Sequence, residues 1–188
     1  AEAGSARVFA RTGTSWAQEA VLLASDGATL DHFGRSVALS ADGSRAIVGA
    51  PDDNTAWGSD FGSVHFFLRA GTAWVEETMV LAADGASDDG FGWSVALSAI
   101  GTRALVGACS DDTTGGVAAG SARVLVLTGT TWAEEATLLA PDGAANDCFG
   151  WSVALTADGG RALVGARLDD TGRGTDAGSA HLFARTGT

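Results

Sequence analysis

The sequence contains no lysine and no tyrosine, so its cationic side chains are 11 arginines. Without lysine it has no Gly-x4-Gly-Lys loop of the kind that cradles nucleotide phosphates. The 23 acidic residues give a net charge of −12, which argues against nucleic-acid binding, because that needs basic patches that neutralise phosphates. The same charge argues against docking on anionic membranes. No apolar run approaches the roughly 20 residues of a membrane span, so we expect no membrane insertion.

Proline is also scarce, with 2 residues against 27 glycines. This balance is typical of many short strands joined by tight turns, because glycine tolerates the positive φ that such turns demand. The hydrophobic content of 46% is enough for a packed core and argues against disorder.

One phrase organises the chain: Phe-Gly-x-Ser-Val-Ala-Leu, followed about ten residues later by Val-Gly-Ala. It begins at Phe33, Phe91 and Phe149, and these positions are each 58 apart. A second phrase, which begins Gly-Ser in all four copies, recurs with the same period at 4–14, 62–72, 120–130 and 178–188. A fixed period of this size indicates a repeat architecture.

Each unit predicts four short antiparallel strands, in the order A, B, C and D. In the first complete unit these are Ser36–Ser40, Arg45–Ala50, Ser63–Arg69 and Trp74–Ala82. Segment D also has a helical composition, since Ala, Glu and Leu favour helices. We prefer a strand because segment D follows a tight turn inside an otherwise all-β unit.

Repeated four-stranded units of this length predict an all-β protein made of β-propeller blades. A β-sandwich and a β-solenoid are the alternatives, but a sandwich need not repeat and solenoid coils are usually shorter. The predicted divisions are a partial blade with strands C and D at 4–32, complete blades at 33–90 and 91–148, and a partial blade with strands A to C at 149–188.

The motif Phe33-Gly34 with Val48-Gly49-Ala50-Pro51 resembles the FG-GAP repeat family, whose blades occur in integrin α-subunits and many secreted bacterial proteins. The later copies keep Phe-Gly and Val-Gly-Ala but replace the proline with Cys109 and Arg167. The resemblance implies an extracellular or cell-surface propeller that serves adhesion, ligand binding or scaffolding. Fungal lectins with similar repeats bind sugars, so a glycan or a protein is the ligand we expect on the loop face.

The resemblance raises the question of whether the chain binds calcium. Integrin blades hold it in an Asp-x-Asp-x-Asp-Gly-x-x-Asp loop between their first two strands. The matching turn, Ser40–Ser44, carries one carboxylate. Because calcium takes about six to eight oxygen ligands, we expect that site to be absent.

Strand direction places the D–A loops and the B–C loops on one face, which we expect to carry a rim of acidic residues separate from the A–B turn. Carboxylates from both loops could bind calcium there; the alternative is that they form turns by accepting local backbone N–H groups. The candidates in the D–A loops are Asp26, Asp31, Asp84, Asp89, Asp142 and Asp147, and those in the B–C loops are Asp53, Asp111 and Asp169.

No catalytic constellation is visible. His32, His65 and His181 show no metal-ligand spacing such as His-x3-His, and we expect surface or inter-strand residues at different points of the repeat. The recurring serine of strand A has no histidine at a matching offset, so a nucleophile–base pair is unsupported. We therefore predict that the chain is not an enzyme and requires no cofactor.

The tryptophans divide into two groups. Trp16, Trp74 and Trp132 each open a D strand, where a repeated position indicates a buried anchor. The ligand candidates are Trp57 in a B–C loop and Trp93 and Trp151 near the central channel.

The two cysteines are predicted to form a disulfide, and two unpaired thiols are the alternative. Cys109 ends strand B of the second unit and Cys148 precedes strand A of the third, so both lie on the same rim in adjacent blades. A disulfide fits an oxidising, extracellular compartment.

A count of strands completes the prediction, because strand C occurs four times and the others three times. We therefore expect that the chain does not close into a propeller by itself. It is either a segment of a longer array or a unit completed by strands of neighbouring copies. Two functions remain open: a binding module, and a structural unit of a surface scaffold or filament.

Overall fold

A computed structural model of the chain describes residues 3–56 and 58–186. The regular elements in these residues are strands, so the predicted all-β fold class is confirmed. None of the described residues forms a helix of the length and hydropathy that a membrane crossing requires. In chain order the strands are β1 (Ala6–Thr12), β2 (Ser15–Leu22), β3 (Ser36–Leu39), β4 (Arg45–Ala50), β5 (Ser63–Ala70), β6 (Ala73–Val80), β7 (Ser94–Leu97), β8 (Arg103–Ala108), β9 (Ser121–Thr128), β10 (Thr131–Leu138), β11 (Phe149–Leu155), β12 (Arg161–Ala166) and β13 (Ser179–Ala184).

The strands form antiparallel sheets in which chain neighbours pair. β3 to β6 make one four-stranded sheet and β7 to β10 make another, each in chain order, while β1–β2 and β11–β13 form a two-stranded and a three-stranded sheet. Segment D, for which a helix was the competing interpretation, is a strand in all three copies (β2, β6 and β10). The sheets pack side by side through their first strands, since β3 contacts β7 and β7 contacts β11. This is the arrangement of propeller blades.

The hydrophobic core lies between the sheets. One cluster joins Phe66 and Ile47 of the first complete sheet to Val106 and Trp132 of the second. Equivalent clusters fill the junctions before and after it. Each sheet therefore depends on its neighbour for burial of its apolar face, as stacked repeats do.

The tryptophans that open the D strands are buried or half-buried where a neighbouring sheet covers them. Trp132 stacks on Phe66 with ring centroids 3.9 Å apart, and Trp74 packs against the cluster that contains Leu22. Trp16 is 67% exposed, so the prediction of a buried anchor is wrong there. The reason is that each of these rings packs on the sheet before it in the chain. Among the described residues, no sheet precedes β1–β2, so Trp16 has no such surface.

The Phe-Gly phrase is the joint between neighbouring sheets. Phe91 is fully buried and forms a parallel bridge with Gly62 of the preceding sheet. The Ser36 hydroxyl donates a hydrogen bond of 2.8 Å to the carbonyl of Gly92. A Cβ at Gly49 would lie 2.0 Å from that same carbonyl oxygen, so only glycine fits.

The second joint repeats the first. Ser94 donates to the Gly150 carbonyl at 2.8 Å, and a Cβ at Gly107 would lie 2.0 Å from the same oxygen. We call the receiving groove the Phe-Gly cradle. Its residues are Ser36, Gly49 and Ser63 in the first unit, Ser94, Gly107 and Ser121 in the second, and Ser152, Gly165 and Ser179 in the third.

Candidate functional site

The D–A loops (23–35, 81–93 and 139–148) and the B–C loops (51–62, 109–120 and 167–178) lie on one rim, which we call the loop face. Backbone hydrogen bonds join them directly. Asp88 N–H donates to the Ser59 carbonyl at 3.1 Å, and Asn146 N–H donates to the Val117 carbonyl at 2.9 Å. The predicted meeting of the two loop types therefore occurs where a D–A loop follows the first and second B–C loops. A D–A loop also contacts the B–C loop after it, since Leu168 N–H donates to the Asp147 carbonyl at 3.1 Å.

Three of the predicted carboxylates stabilise turns within the D–A loops. Asp89 accepts the backbone N–H of Ala86 at 2.5 Å, and Asp147 accepts that of Ala144 at 2.6 Å. Asp31 accepts the backbone N–H of Ala28 in the same way and is 2% exposed. Burial raises the pKa of Asp89. These contacts match the turn-forming alternative for this position of the repeat.

In the second unit, acidic side chains of the loop face bind a buried arginine, Arg123. This side chain is 4% exposed; its Nη2 lies 2.8 Å from Asp111 Oδ2 and its Nη1 lies 2.6 Å from Asp84 Oδ1. Burial disfavours the charged guanidinium, but the bonds to Asp111 and Asp84 outweigh it and raise the pKa of Arg123. A carboxylate from each loop type thus converges on one positive charge.

Histidine occupies the same position in the neighbouring units, because 65, 123 and 181 are each 58 apart. The interpretation that His65 and His181 lie at different points of the repeat is therefore wrong. His65 is 1% exposed; its Nδ1 lies 2.6 Å from Glu76 Oε1 and its Nε2 lies 3.0 Å from Ser63 Oγ. His32 sits elsewhere, on the Asp52 carboxylate.

In the third unit, Asp142, Asp169 and His181 come together. Each offers a ligand atom within 4.8 Å of the other two, and no other group of three His, Cys, Asp or Glu in the described residues converges this closely. His181 Nε2 lies 3.8 Å from Asp142 Oδ1. The calcium predicted at these and the other rim carboxylates stays a prediction.

The first unit has the equivalent residues Asp26, Asp53 and His65. Asp53 is 7% exposed, and its Oδ2 has no hydrogen-bond partner. Burial raises the pKa of Asp53, and although the Ser63 hydroxyl opposes this, the charges of Asp26 and Asp31 add to it. The rim of this unit therefore holds a buried carboxylate oxygen that lacks a compensating charge.

The predicted ligand tryptophans form a stack with two arginines. The rings of Trp93 and Trp151 have centroids 4.9 Å apart. The Arg35 guanidinium lies 4.2 Å from the Trp93 centroid, and that of Arg167 lies 4.1 Å from the Trp151 centroid. Both arginines are exposed and both indoles half-buried. Trp57 lies outside the described residues.

Sequence reasoning missed Arg167 as a member of this stack. The signal was its place in the motif, because it replaces the proline that ends Val48-Gly49-Ala50-Pro51 in the first copy. Arg35 could have been found in the same way, since it holds the position that is tryptophan in the later copies.

The two cysteines meet on the loop face, and both are unbridged thiols. Their mutual hydrogen bond and burial raise the pKa of Cys109. The same hydrogen bond lowers the pKa of Cys148, and nearby Arg167 lowers it further. The disulfide between them stays a prediction.

A family model described as the FG-GAP repeat matches the chain three times, at residues 16–67, 74–125 and 132–183. No curated protein matches the chain. Among solved structures, the chain is similar to TolB from Acinetobacter baumannii, with 12% sequence identity and a TM-score of 0.45. That alignment covers 80% of this chain and 29% of TolB, so the chain spans less than a third of that protein's length.

We predict that Cys109 and Cys148, unbridged in this structure, form the disulfide in an oxidising compartment, so titration of the unfolded, unreduced protein should find no reactive thiol. Closing the loop between them should stabilise the fold by roughly 3–4 kcal/mol, so a reductant should lower the melting temperature. A Cys109→Ser variant, which cannot form the bridge, is the control whose melting temperature the reductant should leave unchanged. Two reactive thiols in the wild-type chain would rule the bridge out.

Proposed function

The chain belongs to the FG-GAP repeat family, and from that premise we propose that it is a non-enzymatic, extracellular β-propeller module that binds a glycan or a protein. The observation that carries the proposal is the stack of Arg35, Trp93, Trp151 and Arg167. Arg35, Trp93 and Trp151 hold one repeat position in three successive sheets, and Arg167 holds the position of the motif's proline. Both arginines break the repeat. Binding sites commonly depart from repeat symmetry in this way.

The stack fits a ligand that carries a carboxylate. Each arginine is held over an indole ring, which fixes the guanidinium by a cation–π contact while its N–H groups stay in water. A guanidinium that is already positioned loses less entropy when it forms a bidentate bond with a carboxylate. The indole edges add apolar contact of the kind that carries most binding energy at interfaces.

The test compares two tryptophan variants on an array of acidic and neutral glycans and on a panel of matrix proteins, with chelator present. Trp151→Ala should weaken binding at least about tenfold, which corresponds to the loss of one aromatic anchor. Trp16→Ala removes an exposed tryptophan remote from the stack and should bind like wild type. Equal binding by wild type and Trp151→Ala would contradict the proposal, as would a wild-type chain that retains no ligand.

A second function is favoured by the open cradle of the third unit. Ser152, Gly165 and Ser179 match the two filled cradles, yet no Phe-Gly segment of the described chain enters this groove of about 490 Å³. We propose that another copy supplies the segment and that the chain is a structural unit of a scaffold or filament.

Strand exchange gives this assembly a definite geometry. β13 and β1 hold the same repeat position, since Ser179 and Ser5 are three periods apart. β13 of one copy can therefore replace β1 beside β2 of the next copy. In that arrangement Phe33 and Gly34 of the next copy enter the open cradle, as Phe149 and Gly150 enter the filled one. Because the contact is head-to-tail, it propagates into rings or fibres.

The assembly is tested by light scattering over a range of concentrations. Wild type should exceed the 18.8 kDa of a single chain. Gly165→Ala should remain a monomer, because its Cβ would meet the incoming Gly34 carbonyl as a Cβ at Gly107 would meet that of Gly150. Gly172→Ala, at a glycine with no atom within 4 Å of the added Cβ, is the matched control and should assemble. A compact wild-type monomer would overturn this second function.

A further inference from the structure

We propose that the loop face of the first unit and that of the third each bind a divalent transition-metal ion, at the place where the second unit holds Arg123. The ligands are two carboxylates and one imidazole: Asp26, Asp53 and His65 in the first unit, and Asp142, Asp169 and His181 in the third. The donor set differs from the all-oxygen calcium site expected from the sequence.

The second unit serves as an internal reference for the site. Its Asp84 and Asp111, the repeat equivalents of the proposed carboxylate ligands, both bind the buried guanidinium of Arg123. The backbone of the repeat therefore aims these two carboxylates at a common point that holds a positive charge. Where histidine replaces Arg123, the carboxylates remain but the built-in cation is gone.

The first unit shows the consequence of that loss. Asp53 Oδ2 is buried and has no hydrogen-bond partner, although the equivalent oxygen of Asp111 binds Arg123. A buried, unpaired carboxylate oxygen is costly, and a bound cation would remove that cost. Glu76 Oε1 accepts a hydrogen bond from His65 Nδ1 at 2.6 Å, which orients the ring and makes Nε2 the coordinating atom. Nε2 lies 3.0 Å from Ser63 Oγ, and a bound ion would replace that contact. A carboxylate behind a metal-binding histidine is the usual outer-shell arrangement.

The third unit shows the convergence directly. The ligand atoms of Asp142, Asp169 and His181 lie within 4.8 Å of one another, and His181 Nε2 is 3.8 Å from Asp142 Oδ1. Neighbouring ligand atoms of a tetrahedral zinc ion are roughly 3.3 Å apart, given bonds of about 2 Å. Asp142 is an exposed loop residue, 70% exposed at its side chain, so the remaining adjustment is a side-chain rotation.

The imidazole decides the class of metal. Calcium and magnesium take oxygen ligands, whereas imidazole nitrogen suits zinc, cobalt, nickel and copper. Three protein ligands leave a fourth tetrahedral position open, which a water molecule or a ligand atom can occupy.

The experiment is calorimetric titration of the full chain with Zn²⁺ after chelator treatment, repeated with Co²⁺ so that its absorption reports the geometry. Wild type should bind two ions per chain. His65→Arg and His181→Arg should each remove one ion, and the double variant should bind none. These substitutions install the residue that the second unit already holds at this position, so the fold should be retained, and circular dichroism and melting temperature check it.

The converse variant gives a gain of binding. Arg123→His converts the second unit to the histidine form and should raise the number of bound ions from two to three. Should a His→Arg variant fail to fold, this gain still decides the proposal. A wild-type chain that binds no Zn²⁺ would overturn it. So would zinc binding that is unchanged by the double His→Arg substitution, since the ions would then sit elsewhere.

Discussion

The structure depends on one close approach, in which the backbone of Gly107 lies against the carbonyl of Gly150 in the next sheet. No side-chain atom fits between them, since a Cβ at Gly107 would stand 2.0 Å from that oxygen. The approach lets Ser94 bond the same carbonyl and lets Phe149 reach full burial. A hydrogen bond, an apolar anchor and a steric limit therefore specify one arrangement of neighbouring sheets.

This joint also determines what the loop face can do. Because Phe-Gly docks beside the end of strand B, the D–A loop that precedes it is laid along the B–C loop of the preceding sheet. An acidic residue of this D–A loop and one of the B–C loop that follows it, Asp84 and Asp111 in the second unit, face the third residue of strand C. That residue is arginine in the second unit and histidine in the first and third, so the same position carries a fixed cation in one unit and an imidazole in the other two.

Much of the fold could be predicted from the sequence, because the period of 58 residues and the alternation within each strand are local signals. Strand direction was enough to place both loop types on one rim. The exposure of Trp16 could not be predicted from local sequence, because it depends on whether a neighbouring sheet covers the ring. The shared position of His65, Arg123 and His181 was available in the spacing. The role of that position could not be predicted, because only the structure shows two carboxylates that meet on Arg123.

The most direct test of the joint compares Gly107→Ala with Gly165→Ala by urea denaturation at a concentration where both variants are monomeric. The two positions are equivalent in the repeat, and an added Cβ would meet the strand A serine at 2.5 Å in one and 2.6 Å in the other. Only Gly107 also faces a carbonyl of a following sheet. Gly107→Ala should therefore lower the free energy of unfolding by roughly 3 kcal/mol more than Gly165→Ala does, as expected for overpacking in a rigid junction. Equal losses in the two variants would show that the close approach does not hold the sheets together.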